Sequence, residues 1–192
     1  PFMVKAASLG SSVGVSKAKD ETSFRQAVED AFRYDDYLIA EEFVTGREIE
    51  CAILGNQPAE ASYPGEIVIS SKYEFYTFDA KYVDPEAVRI DVPAKLNSTE
   101  AEKIRELSVK AYQALCCEDF SRVDLFLTAD GRIYINEINT IPGFTNSSMY
   151  PMMWNERGIG FTELISRLLD LASERYDRSK RIERDFNSAL KF

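Results

Sequence analysis

An arginine, two carboxylic acids and a carboxamide stand on either side of one sharp turn signal in this sequence. The stretch reads Ser121-Arg122-Val123-Asp124-Leu125-Phe126-Leu127-Thr128-Ala129, then Asp130-Gly131, then Arg132-Ile133-Tyr134-Ile135-Asn136-Glu137-Ile138-Asn139. Asp-Gly between alternating apolar residues is the favoured two-residue type I′ hairpin turn. Closed that way, Ala129 faces Arg132, Asp124 faces Glu137 and Arg122 faces Asn139. Cross-strand neighbours on one face lie about 5 Å apart. Two facing carboxylates repel, and each resists losing its water. A divalent cation removes both penalties. An oxygen-only donor set suits Mg2+ or Mn2+ held jointly with phosphate oxygens. The alternative is a solvated hairpin face with a surface Arg122–Asp124 pair. The interleaved Val, Leu, Ile and Tyr weigh against it, because they make both faces partly apolar.

A second group suits phosphate. Gly10-Ser11-Ser12-Val13-Gly14 follows a strand that ends at Lys5. Glycines permit close backbone approach, and successive N–H groups with serine hydroxyls can cradle an anion. No GK[ST] closes the loop, so it is not a Walker A sequence, and an ordinary flexible loop reads the same way. Lys5 and Lys81 are point charges suited to phosphate, or plain surface lysines. Pro142-Gly143, followed by Thr145, Asn146, Ser147 and Ser148, offers backbone and hydroxyl donors to a carboxylate, or is a simple polar loop.

The elements that must position these groups mix strand and helix. Pro1 to Val4, Tyr37 to Val44, Arg47 to Leu54 and Tyr63 to Ser70 read as strands. Phe24, Ala27, Val28, Ala31 and Phe32 recur at helical spacing, with Thr22 or Ser23 as cap. Thr99 with Glu102 forms a capping-box pattern ahead of a helix whose face is Ile104, Leu107, Ala111 and Leu115. Phe161, Leu164, Ile165, Leu168, Leu169 and Ala172 mark a last core helix. Lys72 to Pro93 is aromatic, charged and irregular, a long loop of the kind that carries function. Residues 173–192 hold six basic and four acidic residues and read as a frayed helix and charged tail. The order of elements, with antiparallel pairs, predicts an α+β fold.

Composition narrows the chemistry. The chain has 192 residues, 45% hydrophobic, enough for a core burying roughly 70% of the unfolded surface. A net charge of −9 disfavours a broad contact with nucleic acid or an anionic membrane. There is no histidine, which removes Ser-His-Asp and Cys-His catalysis and every His-containing zinc site. Cys51, Cys116 and Cys117 lack CxxC spacing and argue for packing roles in a reducing compartment. No run of 18 apolar residues and no signal-peptide pattern is visible. The first residue is Pro1, and Phe2-Met3-Val4 reads as a strand already under way, so a C-terminal part of a longer protein is expected.

The motifs together resemble a known family. Lys5, Gly10-Ser11-Ser12-Val13-Gly14-Val15-Ser16-Lys17, Gly46-Arg47-Glu48, Asp79-Ala80-Lys81-Tyr82, Arg122-Val123-Asp124 and Asn136-Glu137-Ile138-Asn139-Thr140-Ile141-Pro142-Gly143-Phe144-Thr145 look like a D-alanine–D-alanine ligase of the ATP-grasp superfamily. The resemblance runs from about Pro1 to Ala172. It implies an ATP-grasp fold, an antiparallel sheet with flanking helices, the N-terminal preATP-grasp domain being absent. It implies three parts: 1–40, the end of the small subdomain with the phosphate loop; 41–172, the large subdomain; and 173–192, the tail.

The resemblance also implies roles. Lys5 contacts the α- and β-phosphates of ATP, Glu41 and Val44 lie at the adenine hinge, and Glu48 meets the ribose. Ser11 and Ser12 close over phosphate and substrate, Lys81 holds the γ-phosphate, and Tyr82 belongs to a lid. Asp124, Glu137 and Asn139 bind two Mg2+ (or Mn2+). Arg122 and the Gly143 N–H stabilise the oxyanion, and Ser148 with Met149 receives the second D-alanine's carboxylate. The implied setting is cytoplasmic peptidoglycan precursor synthesis by a homodimer of full-length chains, with no nucleic-acid or membrane partner. Ala6 stands where the family usually has proline. A D-alanine–D-lactate ligase is the near rival, disfavoured because that subfamily has histidine where Tyr82 stands. A non-catalytic Mg-nucleotide-binding fragment is the other alternative.

Overall fold

The computed structural model describes residues 1–70, 72–73, 84 and 86–183; Lys81 and Tyr82 lie outside them. Strand β1 (Phe2–Ala6) is the centre of a three-stranded antiparallel sheet, between β2 (Val15–Ala18) and β3 (Leu38–Glu42). Lys5 pairs with Val15 on one side and Ile39 on the other, and Met3 with Lys17 and Glu41. Side chains alternate across a strand. Val4 therefore meets Ala27 and Ala31 of α1 (Glu21–Ala31), with Phe24, Val28 and Leu38 packed around them. The opposite face carries Met3, Lys5, Lys17 and Glu41.

The cap of α1 is Asp20 rather than Thr22 or Ser23. Its carboxylate accepts from the Ser23 N–H at 2.8 Å, and Ser23 Oγ accepts in return from the Asp20 N–H at 3.0 Å. Ser23 is thus the third helical position of a reciprocal box. Phe32 is the C-cap and is exposed, not part of the packed face.

The other strands are β4 (Arg47–Leu54), β5 (Glu60–Ala61), β6 (Gly65–Ile69), β7 (Val88–Asp91), β8 (Phe120–Leu127) and β9 (Ile133–Asn139). They form a sheet in the order β7-β6-β4-β8-β9, with β5 pairing β4 off that path. Helix α2 (Ser98–Ala114) is capped by Asn97, whose side chain accepts from the Glu100 N–H at 2.9 Å while Glu100 accepts from the Asn97 N–H at 3.1 Å. The Thr99–Glu102 pattern falls inside this helix, two residues too late. Its buried residues are Ile104, Ser108 and Tyr112; Leu115 follows the last turn and is 66% exposed.

Helix α3 (Met149–Glu156) has no counterpart in the sequence reading. Five of its eight residues are buried, so it shows no contrast between faces from which a period is read. Helix α4 (Phe161–Lys180) continues past Ala172, held by Arg175 at 2.8 Å from Asp119 and by Arg178 on Glu118. Only Leu164 of its apolar stripe is buried.

Two compact units result. One comprises Pro1–Ile49, Glu66–Asp91 and Leu125–Tyr134; the other comprises Glu50–Gly65, Val92–Asp124 and Ile135–Phe192. The fold is α+β with antiparallel strand pairs, as the element order predicts.

Candidate functional site

In the first unit, Lys5 and Glu41 project from the sheet face that α1 leaves uncovered. Their strands place them diagonally across the β1–β3 pair, and Lys5 Nζ lies 2.6 Å from Glu41 Oε2. Lys17 Nζ sits 3.5 Å above the ring of Phe43, at the end of β3. Val44 follows in the link to β4, and Glu48 stands in β4; both are half-buried.

The loop between β1 and β2 contains a tight turn at the predicted serines. The Val13 N–H donates to the Gly10 carbonyl at 3.1 Å, and Ser11 and Ser12 have φ of 56° and 60°. Positive φ at both central residues marks a type I′ turn. For residues with a Cβ this conformation costs about 1–2 kcal/mol each. The loop base is pinned by Ala7 N–H to the Tyr37 carbonyl at 3.0 Å and Ser8 N–H to Asp35 at 2.6 Å. Hydrogen bonds from the Tyr37 and Ser8 N–H groups hold the Asp35 carboxyl below its ordinary range.

In the second unit, Arg122 grips Asp124 in a two-pronged fork: Nε to Oδ1 and Nη2 to Oδ2, both 2.7 Å. Burial alone would lower the guanidinium's pKa. The hydrogen bonds and charge of Asp124, then the charges of Glu50 and Glu137, overcome that, and the net shift is upward. The Asn139 amide donates to Asp124 Oδ2 at 3.0 Å and to Glu137 Oε1 at 3.4 Å. One amide thus bridges the two acids that the sequence pairs.

The turn itself differs from expectation. Thr128 N–H, not Ala129, donates to the Arg132 carbonyl at 2.9 Å, and Gly131 N–H donates to the Thr128 carbonyl at 2.9 Å. Only Gly131 has positive φ, 79°. This is a three-residue loop, a type I turn closed by a left-handed glycine. Asp130 stays right-handed, its carboxylate accepting from Arg132 Nε at 2.7 Å. The pairing frame at the turn is therefore one residue off the predicted frame.

After β9, Phe144 fixes the loop leading to α3. Its ring centroid lies 6.1 Å from Phe120, 5.6 Å from Tyr150 and 5.5 Å from Phe161. The Tyr150 hydroxyl donates to the Ile53 carbonyl at 2.9 Å and ties α3 to β4. Gly143 lies against Ser148: a Cβ there would stand 3.2 Å from Ser148 Oγ. Ser148 Oγ accepts from the Thr145 N–H at 3.0 Å and lies 2.9 Å from Thr145 Oγ1. Met149 is buried against Gly65. Tyr150 burial raises its phenol pKa far beyond the usual value.

The structure thus gathers Arg122, Asp124, Glu137 and Asn139 into one cluster, Gly143, Ser148 and Met149 into a second at the start of α3, and Lys5 with Glu41 into a third. One residue that the sequence reading passed over belongs here. Glu50 is 5% exposed and its Oε2 lies 3.1 Å from Arg122 Nε; an acid set in the apolar run Ile49–Leu54 was the signal. Thr145 joins the hydroxyl cluster.

The donor set fits a hard divalent cation only when a ligand completes it. Among the described residues, no three His, Cys, Asp or Glu side chains are set to hold a metal ion by themselves. Asp124, Glu137 and the Asn139 carboxamide supply fewer oxygens than Mg2+ takes, and Mg2+ ordinarily adds phosphate and water oxygens to one or two carboxylates. Asp124, Glu50 and Glu137 all bring negative charge to the Arg122 guanidinium.

Comparison with known proteins shows the family to which the chain belongs. The family model for the D-ala D-ala ligase C-terminus matches residues 1–170. D-alanine–D-alanine ligase A of Salmonella typhimurium is 52% identical over 176 residues, 92% of this chain and 48% of that protein. The solved D-alanine-D-alanine ligase from Coxiella burnetii matches with a TM-score of 0.82 at 40% identity, covering 94% of this chain and 47% of that one. The VanG D-Ala:D-Ser ligase of Enterococcus faecalis matches with a TM-score of 0.81 at 37% identity, over 89% and 49%. The chain spans about half the length of the relatives it matches. It belongs to the D-alanine–D-alanine ligase C-terminal family.

Proposed function

We propose that this chain is the nucleotide- and acceptor-binding part of an ATP-dependent ligase that joins two D-alanines for peptidoglycan precursor synthesis. The observation that carries the reading is the cluster in which Asn139 bridges Asp124 and Glu137 while Arg122 grips Asp124. In the first step the γ-phosphoryl group passes from ATP to a carboxylate oxygen of the first D-alanine, leaving ADP. In the second, the amine of the other D-alanine attacks the acyl carbon, the C–O bond to phosphate breaks, and the amine loses its proton. Asp124, Glu137 and Asn139 are the residues that would hold two Mg2+ ions, which when bound neutralise charge on the transferring group.

This chain's own groups do the positioning. Lys5, held by Glu41, meets phosphate oxygens, and Val44 and Glu48 take the adenosine end. Ser11 and Ser12 present hydroxyls and N–H groups over the phosphates, and Lys81 and Tyr82 serve the γ-phosphate and the lid. Arg122 and the Gly143 N–H meet the oxyanion, where preorganised donors matter most. Ser148, at the start of α3, and Met149 receive the acceptor's carboxylate. No histidine is needed for either step. The reading carries with it a cytoplasmic place of action and a homodimer of full-length chains.

The test is D-alanine-dependent phosphate release by the full-length enzyme, with Asp124→Ala as control. Release that is lost in the variant while its circular dichroism is kept is expected; undiminished release overturns the assignment. Offering D-alanine, D-serine and D-lactate together reads the acceptor, and D-alanyl-D-alanine is the expected main product. A second reading, nucleotide binding without ligation by these 192 residues alone, is favoured by the half-length span; ATP binding without D-alanine-dependent release by this chain is its signature.

A further inference from the structure

We propose that Glu50 is a positioning residue that keeps the Arg122 guanidinium aimed when Asp124 is drawn to another partner; this rests on the ligase reading above. Glu50 is the lone acid in the buried run Ile49–Leu54 of β4. Burying a carboxylate is costly unless an opposite charge meets it. Packing alone favours an apolar residue there, as at Cys51 and Ile53. Arg122 is a cation that meets Glu50, its Nε 3.1 Å from Glu50 Oε2, a charge contact made while the Nε–H is given to Asp124.

Arg122 therefore stands between two carboxylates of different kinds. Asp124 takes both prongs of its fork, yet Asp124 is also the acid that Asn139 and the proposed cation share. Each added partner on Asp124 competes for the lone pairs that now orient the guanidinium. Glu50 reaches Arg122 from β4 and has no place in the Asn139 bridge. Its pull survives whatever Asp124 does. An arginine held by Asp124 alone would relax as Asp124 engages the metal, at the stage when a fixed donor is needed.

The experiment compares wild type, Glu50→Gln, Arg122→Lys and the double variant in the full-length enzyme. Glu50→Gln keeps the shape and removes the charge. Its kcat is expected to fall about tenfold, a fraction of the 10²–10³ lost with a whole oxyanion donor, with KM for ATP within about twofold. In the Arg122→Lys background the same change is expected to add less than about twofold, because Glu50 acts through the guanidinium. In the enzyme saturated with Mg2+ and a non-hydrolysable ATP analogue, where Asp124 is shared with the cation, the Arg122 Nε–H signal, assigned by its loss in Arg122→Lys, is expected to exchange with water at least about tenfold faster in Glu50→Gln than in wild type. Unchanged kcat and exchange overturn the proposal, as does a full additive loss in the Arg122→Lys background. If Glu50→Gln does not fold, Glu50→Asp replaces it: drawing the carboxylate back one methylene should lower kcat several-fold, and wild-type kcat overturns the proposal. A wild-type enzyme with no D-alanine-dependent phosphate release overturns the ligase reading and this inference with it.

Discussion

Asp124→Asn separates the structural duty of Asp124 from its proposed ligand duty. The substitution keeps the shape and one acceptor oxygen but takes the charge from a fork of two 2.7 Å bonds. Hydrogen bonds to charged groups contribute about 1.5–3 kcal/mol. Here the side chains of Arg122 and Asp124 keep 20% and 16% of their surface in water, and Glu50 still faces the guanidinium. The metal-free loss is therefore about 1–2 kcal/mol. For a domain of this size each kcal/mol moves the melting midpoint by about 2–4 °C, so a fall of about 2–8 °C is expected in EDTA. Adding Mg2+ with a non-hydrolysable ATP analogue at a hundred times the dissociation constant stabilises wild type by about 2.7 kcal/mol, roughly 5–11 °C. The variant is expected to gain less than about a third of that. Melting curves by circular dichroism, with and without the metal nucleotide, read both quantities. A variant that gains as much from Mg2+ as wild type refutes the assignment of Asp124 as a ligand, whatever its metal-free stability.

Gly46→Ala would place a Cβ 2.9 Å from the Leu127 carbonyl oxygen and 3.1 Å from its carbon, both backbone atoms. A loss of about 1–3 kcal/mol in urea unfolding is expected, because no flexible side chain is there to yield. Tyr150→Phe removes the bond to the Ile53 carbonyl from a fully buried site. Its expected cost is about 1–2 kcal/mol, seen as a lower urea midpoint with unchanged slope. Burial pushes the Cys51 thiol up to about 11. A folded-state value above the unfolded one means stability is full below pH 9 and declines as pH rises toward 11, since only the unfolded thiol ionises in that window. Cys51→Ala should flatten that alkaline decline. With a thiol reagent at pH 8, exposed Cys116 should react fast, and Cys51 only at the rate of unfolding.

What the sequence shows and hides follows from where contrast exists. Strand β4 was legible to the residue, because Gly46 and Gly55 bracket it and its run is apolar from Ile49 to Leu54 apart from Glu50. Helix α3 was hidden, since a helix buried nearly all round has no polar face to set its period. The caps of α1 and α2 were misplaced because Ser, Thr, Asp and Asn crowd both starts, and the winner is decided by which side-chain oxygen reaches the third N–H. Leu115 shares the apolar period of α2 but falls past its last turn, so it gains no burial.

The hairpin poses the sharper question: how Asp124 and Glu137 meet when the turn is one residue out of frame. At the turn, Thr128 opposes Arg132, and an unbroken ladder from there would set Asp124 opposite Asn136, turning Glu137 to the other face. Yet Asn139 donates to both Asp124 and Glu137, and residues 137 and 139 share a face of β9. The two frames differ in parity, so one residue must be absorbed between Arg132 and Glu137. Tyr134 and Ile135, both exposed, stand in that stretch. An extra residue of this kind is a β-bulge, which re-aims the side chains beyond it. The Asp-Gly signal thus names the place of the hairpin but not its frame. The frame at the acids is set by the far end of β9, where Asn139, Asp124 and Arg122 satisfy one another.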